Sequence, residues 1–259
     1  SVTWTDITQN TFHTADIDTG KTMSFGVPSM VGAIAHSKEG GYIAATQKGF
    51  ARIGVDGKYS SLHSFLPDDM RMNDGKVDPS GRFWAGSMAL SFEKGRGSLY
   101  ILEKDNSYRS ILDDITLSNG MGWSPDAQYF YYIDSVPGVL KRFDYDLYTG
   151  HISNPKDLIT FDSSSGIPDG MSMSSDGKIV VALWDGGRIE IYEPSGEKVS
   201  EITLGVSRPT SCTFAGPNRD ILIVSTASQG IDQADEPLAG KILAVTGTGL
   251  SGLPTQQYG

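Results

Sequence analysis

Three short stretches set an oxygen-bearing side chain beside a glycine: Asn73-Asp74-Gly75, Asn119-Gly120 and Asp169-Gly170. In each, the Asn or Asp lies eight residues ahead of a turn residue, Gly81, Ala127 and Gly177 respectively. Asn-Gly and Asp-Gly are common turn dipeptides in their own right. A shared phase in three successive units argues for more than turns, because equivalent positions of a repeat fall in register in the fold. Amide and carboxylate oxygens, with no thiolate or imidazole among them, suit a hard divalent cation such as Ca²⁺, Mg²⁺ or Mn²⁺. Zn²⁺ is a further option, although nitrogen and sulfur are its usual ligands.

The elements that must position these residues show as an internal repeat. Five segments share a short apolar strand, a polar turn and a second strand rich in β-branched and aromatic residues: 33–46, 76–87, 121–134, 171–184 and 212–225. Their turns fall near Gly40, Gly81, Ala127, Gly177 and Asn218. A recurrence of roughly 40–50 residues is the period of a four-stranded propeller blade. A third apolar strand follows each hairpin, as in Ser98-Leu-Tyr-Ile-Leu102 and Ile189-Glu-Ile-Tyr192, and a weaker fourth strand is expected to complete each unit. No amphipathic helix of three turns is evident. The expectation is therefore all-β: a six-bladed β-propeller forming one domain over 1–259. Val2–Ile7 and Thr11–Asp16 read as second and third strands of a first blade that lacks its innermost strand in this chain. Innermost strands line a propeller's central channel, so Asn73, Asn119 and Asp169 are expected to face it, their glycines permitting tight turns. The equivalent slots fall near Gly32 and Thr210.

Bulk properties narrow the function classes. A net charge of −10 over 259 residues disfavours nucleic-acid binding through phosphate neutralisation, and an anionic membrane surface equally. Cys212 is the one cysteine, so no internal disulfide forms, and its strand context predicts a buried thiol. No apolar run reaches membrane-spanning length, and the N-terminus shows no signal-peptide pattern; a cytoplasmic protein is expected. His13, His36, His63 and His151 fall at scattered repeat phases, and the serines of 162–165 lack a Gly-x-Ser-x-Gly elbow. Trp84, Trp123 and Trp184 occupy strand positions and read as blade packing. Asp134 and Asp185 follow apolar strands and read as strand-end caps, with support of the site's ligands from behind as the alternative.

Longer motifs carry a resemblance. Arg71-Met-Asn-Asp-Gly-Lys-Val-Asp-Pro-Ser-Gly-Arg-Phe-Trp-Ala-Gly-Ser-Met88, Ser118-Asn-Gly-Met-Gly-Trp-Ser124, Phe130-Tyr-Tyr-Ile-Asp-Ser135, Phe143-Asp-Tyr-Asp146 and Ile167-Pro-Asp-Gly-Met171 occur in order. Together they resemble the SMP-30/gluconolactonase/luciferin-regenerating-enzyme family, in particular its regucalcin and aldonolactonase branch. The resemblance runs from about Trp4 to the C-terminus. It implies a metal-dependent hydrolase that opens small sugar lactones such as gluconolactone, with one divalent metal, Ca²⁺ foremost. It assigns Asn119 and Asp169 as metal ligands, Asp169 also as general base toward water, Arg71 and Asn73 as holders of substrate oxygens, and Ala89–Arg96 as a loop over the channel mouth. The family's third ligand is a glutamate in a Gly-Glu-Gly/Ser-Pro motif on the first innermost strand, and that motif has no counterpart here. Two other readings remain open at this point. The same site would serve hydrolysis of an organophosphate or another ester, and a non-catalytic metal-binding regulatory propeller fits the departure at the glutamate. Arg71 has a structural alternative too, pairing with Asp68, Asp69 or Asp74.

Overall fold

The computed structural model describes all residues, 1–259, and the chain is all-β. Six antiparallel sheets follow one another along the sequence, the blades of a six-bladed β-propeller. The first holds β1 (Val2–Asp6), β2 (Thr11–Ala15) and β3 (Thr22–Gly26); the second β4 (Val31–His36), β5 (Tyr42–Thr46), β6 (Gly49–Ile53) and β7 (Tyr59–Ser64). The third holds β8 (Met70–Val77), β9 (Phe83–Ala89), β10 (Gly97–Leu102) and β11 (Tyr108–Ile115). The fourth is β12 (Ser118–Trp123), β13 (Tyr129–Asp134), β14 (Val139–Tyr145) and β15 (Ile152–Thr160). The fifth is β16 (Ile167–Met173), β17 (Ile179–Trp184), β18 (Arg188–Tyr192) and β19 (Lys198–Thr203), and the sixth β20 (Pro209–Ala215), β21 (Ile221–Thr226) and β22 (Ile242–Val245). Helix is confined to one 3₁₀ turn at Ser163–Ser165. The expected fourth strand is thus present in four blades, while the sixth has three strands. There the chain beyond β22 leaves the sheet.

Two compact units divide the chain, 1–118 with 255–259 and 119–254. In the first, Ile43, Phe50, Met72, Phe83 and Tyr258 share one core. Tyr258 brings the C-terminal segment onto this unit: its hydroxyl donates to the Glu103 carbonyl at 2.6 Å, and its backbone N–H donates to the His36 carbonyl at 2.9 Å. In the second unit, Val180, Ile189, Leu222 and Val224 form one core, and Tyr131, Ile133, Met171 and Leu183 another. Burial of such side chains is the main term holding sheets face to face.

The hairpins set the phase of everything that follows. In the second to sixth blades the connection between the first two strands has five residues, the fourth left-handed: Gly40, Gly81, Ala127, Gly177 and Arg219 at φ 90°, 89°, 54°, 91° and 55°. In every case that fourth residue's N–H donates to the carbonyl of the first. The last turn therefore centres on Arg219 and not on Asn218. An arginine is an uncommon left-handed residue, whereas Asn218 carried the stronger turn signal. Counting back eight from Arg219 moves the equivalent slot in the sixth blade from Thr210 to Ser211.

Candidate active site

Register breaks recur at this phase. The β4–β5 pairing shifts between Val31 and Ala33, β8–β9 between Met72 and Gly75, β16–β17 between Pro168 and Met171, and β20–β21 between Pro209 and Ser211. Such bulges re-aim side chains at the margin of a sheet. The adjacent glycines do not turn the chain, contrary to expectation. Gly75, Gly120 and Gly170 lie inside β8, β12 and β16, and none has a positive φ. Their role is close approach. A Cβ on Gly120 would stand 2.6 Å from Met171 Cγ and 2.7 Å from the Asp169 carbonyl oxygen. Only a residue without a side chain lets β12 come that near β16.

In the second unit this approach is locked by a buried relay. Asn119, 6% exposed, donates from Nδ2 to Ser135 Oγ at 2.7 Å, and Ser135 Oγ donates to the Pro168 carbonyl at 2.6 Å. With its nitrogen so committed, the Asn119 amide presents Oδ1 as its acceptor end. Asp169, partly exposed, follows Pro168 directly. One relay thus ties the two candidate ligand positions together. Ser135 was not legible as a site residue: its place in the Phe130–Ser135 motif is visible, but the contact it makes is tertiary.

In the first unit, Arg71 and Asn73 hold each other. Arg71 Nη1 donates to Asn73 Oδ1 at 2.6 Å and to the Met72 carbonyl at 3.0 Å, while Asn73 Nδ2 donates to the Ser118 carbonyl at 2.7 Å. Asn73 therefore orients the arginine fork. Asp68 is paired with Lys48, and Asp69 with Arg96 at 2.7 Å, an ion pair that holds the carboxyl of Asp69 below its usual range and anchors the end of the Ala89–Arg96 segment. Asp74, between Asn73 and Gly75, escaped notice as a functional carboxyl. Burial of its carboxyl group raises its pKa, partly offset by Lys76 and by the Gly75 N–H donating at 2.7 Å. Such a carboxyl favours holding a proton.

The hallmark segment has a structural half as well. Asp78, fully buried, accepts from the backbone N–H groups of Ser80 and Arg82 at 2.9 Å each, from Arg82 Nε at 2.6 Å and from Trp84 Nε1 at 2.9 Å. Trp84 and Trp123 are buried, as expected of packing residues; Trp184 is only partly so. Cys212 is buried with Sγ against the Val180 carbonyl. His13 stacks on Trp4, and His63 Nε2 lies 2.6 Å from the Asn106 carbonyl oxygen. No three His, Cys, Asp or Glu residues gather in a way that would hold a metal. A cation in the second unit would rest on the mixed amide and carboxylate oxygens of Asn119 and Asp169, a donor set that fits Ca²⁺ or Mg²⁺ with water filling further positions. No helix is long and apolar enough to cross a membrane.

The repeated hairpins and the register breaks along the innermost strands define an all-β propeller. The description "SMP-30/Gluconolactonase/LRE-like region" matches residues 1–228, and the chain belongs to that family. Regucalcin of Oryctolagus cuniculus is 37% identical over 240 residues, covering 88% of this chain and 80% of that protein. A luciferin-regenerating enzyme of known structure superposes with a TM-score of 0.91 at 28% identity, covering 99% of this chain and 90% of its own. A calcium-binding regucalcin from Agrobacterium tumefaciens superposes with a TM-score of 0.94 at 24% identity, covering 99% and 89%, and bears on the fold.

Proposed function

We propose that this protein is a hydrolase of small lactones, sugar lactones such as gluconolactone foremost, acting with one divalent metal ion, Ca²⁺ being the first candidate. The observation that carries the reading is the Asn119–Ser135–Pro168 relay, which fixes an amide oxygen and the Asp169 backbone against each other across a contact only Gly120 permits. The family supports the lactone substrate, and the calcium-binding relative supports the cation. Asn119 and Asp169 would hold a divalent cation, which would supply Lewis-acid polarisation of a carbonyl oxygen. Asp169 accepts the proton of the water that attacks the lactone carbonyl carbon. The ring C–O bond then breaks, the ring oxygen takes that proton back from Asp169 and leaves as a hydroxyl, and the product is the open hydroxy acid with the Asp169 carboxylate restored. Arg71, oriented by Asn73, offers its planar donors to substrate oxygens and offsets developing negative charge. Asp74, next to Asn73 in the chain, is a second carboxyl whose burial favours its holding a proton.

The reading is tested by calcium titration calorimetry on wild type, Asn119→Ala and Asp169→Ala. One site per chain in wild type, weakened at least tenfold in both variants, is the expected result; an equal heat in all three would refute the assignment of the ligands.

A further inference from the structure

The register of the fifth blade sets Trp184 opposite Ile167, two residues ahead of Asp169. Ile167 is 38% exposed and Trp184 is partly exposed, although the rest of β17 is buried. The Arg208 guanidinium lies 4.9 Å from the centre of the Trp184 ring, a cation–π contact. Arg208 Nε donates to Asp185 Oδ1 at 2.5 Å, and Nη1 donates to the Gln229 carbonyl. Its Nη2 group has no acceptor in the protein, and neither has the indole N–H of Trp184.

Everything around these two donors is pinned. Asp185 is held in the left-handed region at φ 57°, where few residues other than glycine are found. The Ala227 N–H donates to the Arg208 carbonyl at 2.9 Å, and the Ser207 N–H donates to Glu236 Oε2 at 2.7 Å. A purely structural staple needs only Nε and Nη1 of the arginine. What remains is a rigid indole face, an exposed aliphatic side chain and two unused N–H donors. That is the complement of a carbon chain bearing hydroxyls: apolar C–H faces against the ring, and oxygens against the donors.

We infer that Trp184 and Arg208 recognise the non-reacting, hydroxyl-bearing part of the substrate, selecting polyol-bearing lactones over unsubstituted ones. The inference deepens the lactone-hydrolase reading and rests on it for the kinetic part of its test. The first measurement is made without turnover. The indole N–H signals of the four tryptophans are followed by ¹⁵N NMR while D-gluconate, and separately pentanoate, is added to the calcium-loaded protein. The Trp184 signal, identified by its loss in Trp184→Phe, is expected to shift with gluconate and to stay in place with pentanoate. The second is the ratio of kcat/KM for δ-gluconolactone over δ-valerolactone. Trp184→Phe and Arg208→Lys should each lower it about three- to tenfold, mainly through KM for gluconolactone, the size expected of one hydrogen bond, the lysine retaining the charge of Arg208. An indole signal unmoved by gluconate, or equal losses on both lactones, would overturn the proposal. A gluconate-dependent shift in a protein that hydrolyses neither lactone would sink the lactone-hydrolase reading and leave polyol recognition standing.

Discussion

Asp78 and Asp169 belong to corresponding hairpins of the third and fifth blades, and the fold treats them in opposite ways. Asp78 is fully buried, and four donors converge on its carboxylate, among them Arg82, itself 2% exposed. It closes the turn that Gly81 makes possible. Asp169 stands on a bulged strand, partly exposed, its backbone held by a relay that ends on the carbonyl of the preceding proline. A buried carboxylate saturated by its own turn is committed to the fold. One carried on a bulge and partly exposed is positioned through its backbone, and on the proposed reading its side chain serves the chemistry. On that reading the contrast also divides the hallmark segment: Arg71–Asp74 is assigned to the site, while Asp78–Trp84 builds the hairpin.

Substitution at the two aspartates should separate these roles. Asp169→Ala is expected to lower kcat/KM for gluconolactone by about 10²–10⁴-fold, the usual worth of a positioned general base. Its urea-unfolding free energy should stay within about 1 kcal/mol of wild type, since Asp169 is partly exposed. Asp78→Ala should do the reverse, losing about 3–5 kcal/mol in the same unfolding measurement because Arg82 is left buried without its partner. If both variants lose stability alike, the division between the two carboxylates fails.

A smaller effect sharpens the comparison at the backbone. In Gly120→Ala the new methyl meets the Asp169 carbonyl oxygen, and backbone yields less readily than a side-chain tip. About 1–3 kcal/mol of stability should go, with a loss of turnover in excess of it as Asp169 is displaced. Unaltered kinetics would mean that the close approach serves packing alone.

The smallest effect concerns Asp74 and depends on pH. Its pKa is raised by burial, so the folded state holds this proton more tightly than the unfolded chain does. That contribution is present in full below the unfolded carboxylate range, about 4, and is lost as pH rises through the folded value. Asp74→Asn removes the titration. The variant should therefore gain stability relative to wild type at pH 8, and the gain should shrink as unfolding is repeated at falling pH toward about 4. A difference independent of pH would place the Asp74 carboxyl in a well-solvated setting.

Much of this was open to a reader of the sequence, and the limits have physical causes. The strand–turn–strand repeat shows because propeller hairpins alternate apolar strands with glycine-bearing turns, and the common phase of Asn73, Asn119 and Asp169 follows from it. The phase slipped by one in the sixth blade, where Arg219 takes a backbone conformation that its residue type does not advertise. The glycines beside the candidate ligands look like turn formers, yet they act through the neighbouring blade, which no local signal shows. Ser135 and Asp74 were missed for the same reason, since a hydrogen bond across 33 residues and the burial of a carboxyl are tertiary facts. Trp184 shares the strand setting of Trp84, and only the register of its sheet reveals that it ends half-open beside Ile167.

The central claim, a lactone hydrolase whose metal rests on Asn119 and Asp169, is tested most directly by one titration. Chelated protein is supplied with Ca²⁺, Mg²⁺, Mn²⁺ or Zn²⁺, and the opening of gluconolactone is followed by the acid it releases, in wild type and in Asn119→Ala. Turnover that vanishes on chelation, returns with a divalent metal in wild type and does not return in the variant is the predicted result. Wild-type turnover indifferent to chelation, or full recovery in Asn119→Ala, would contradict it.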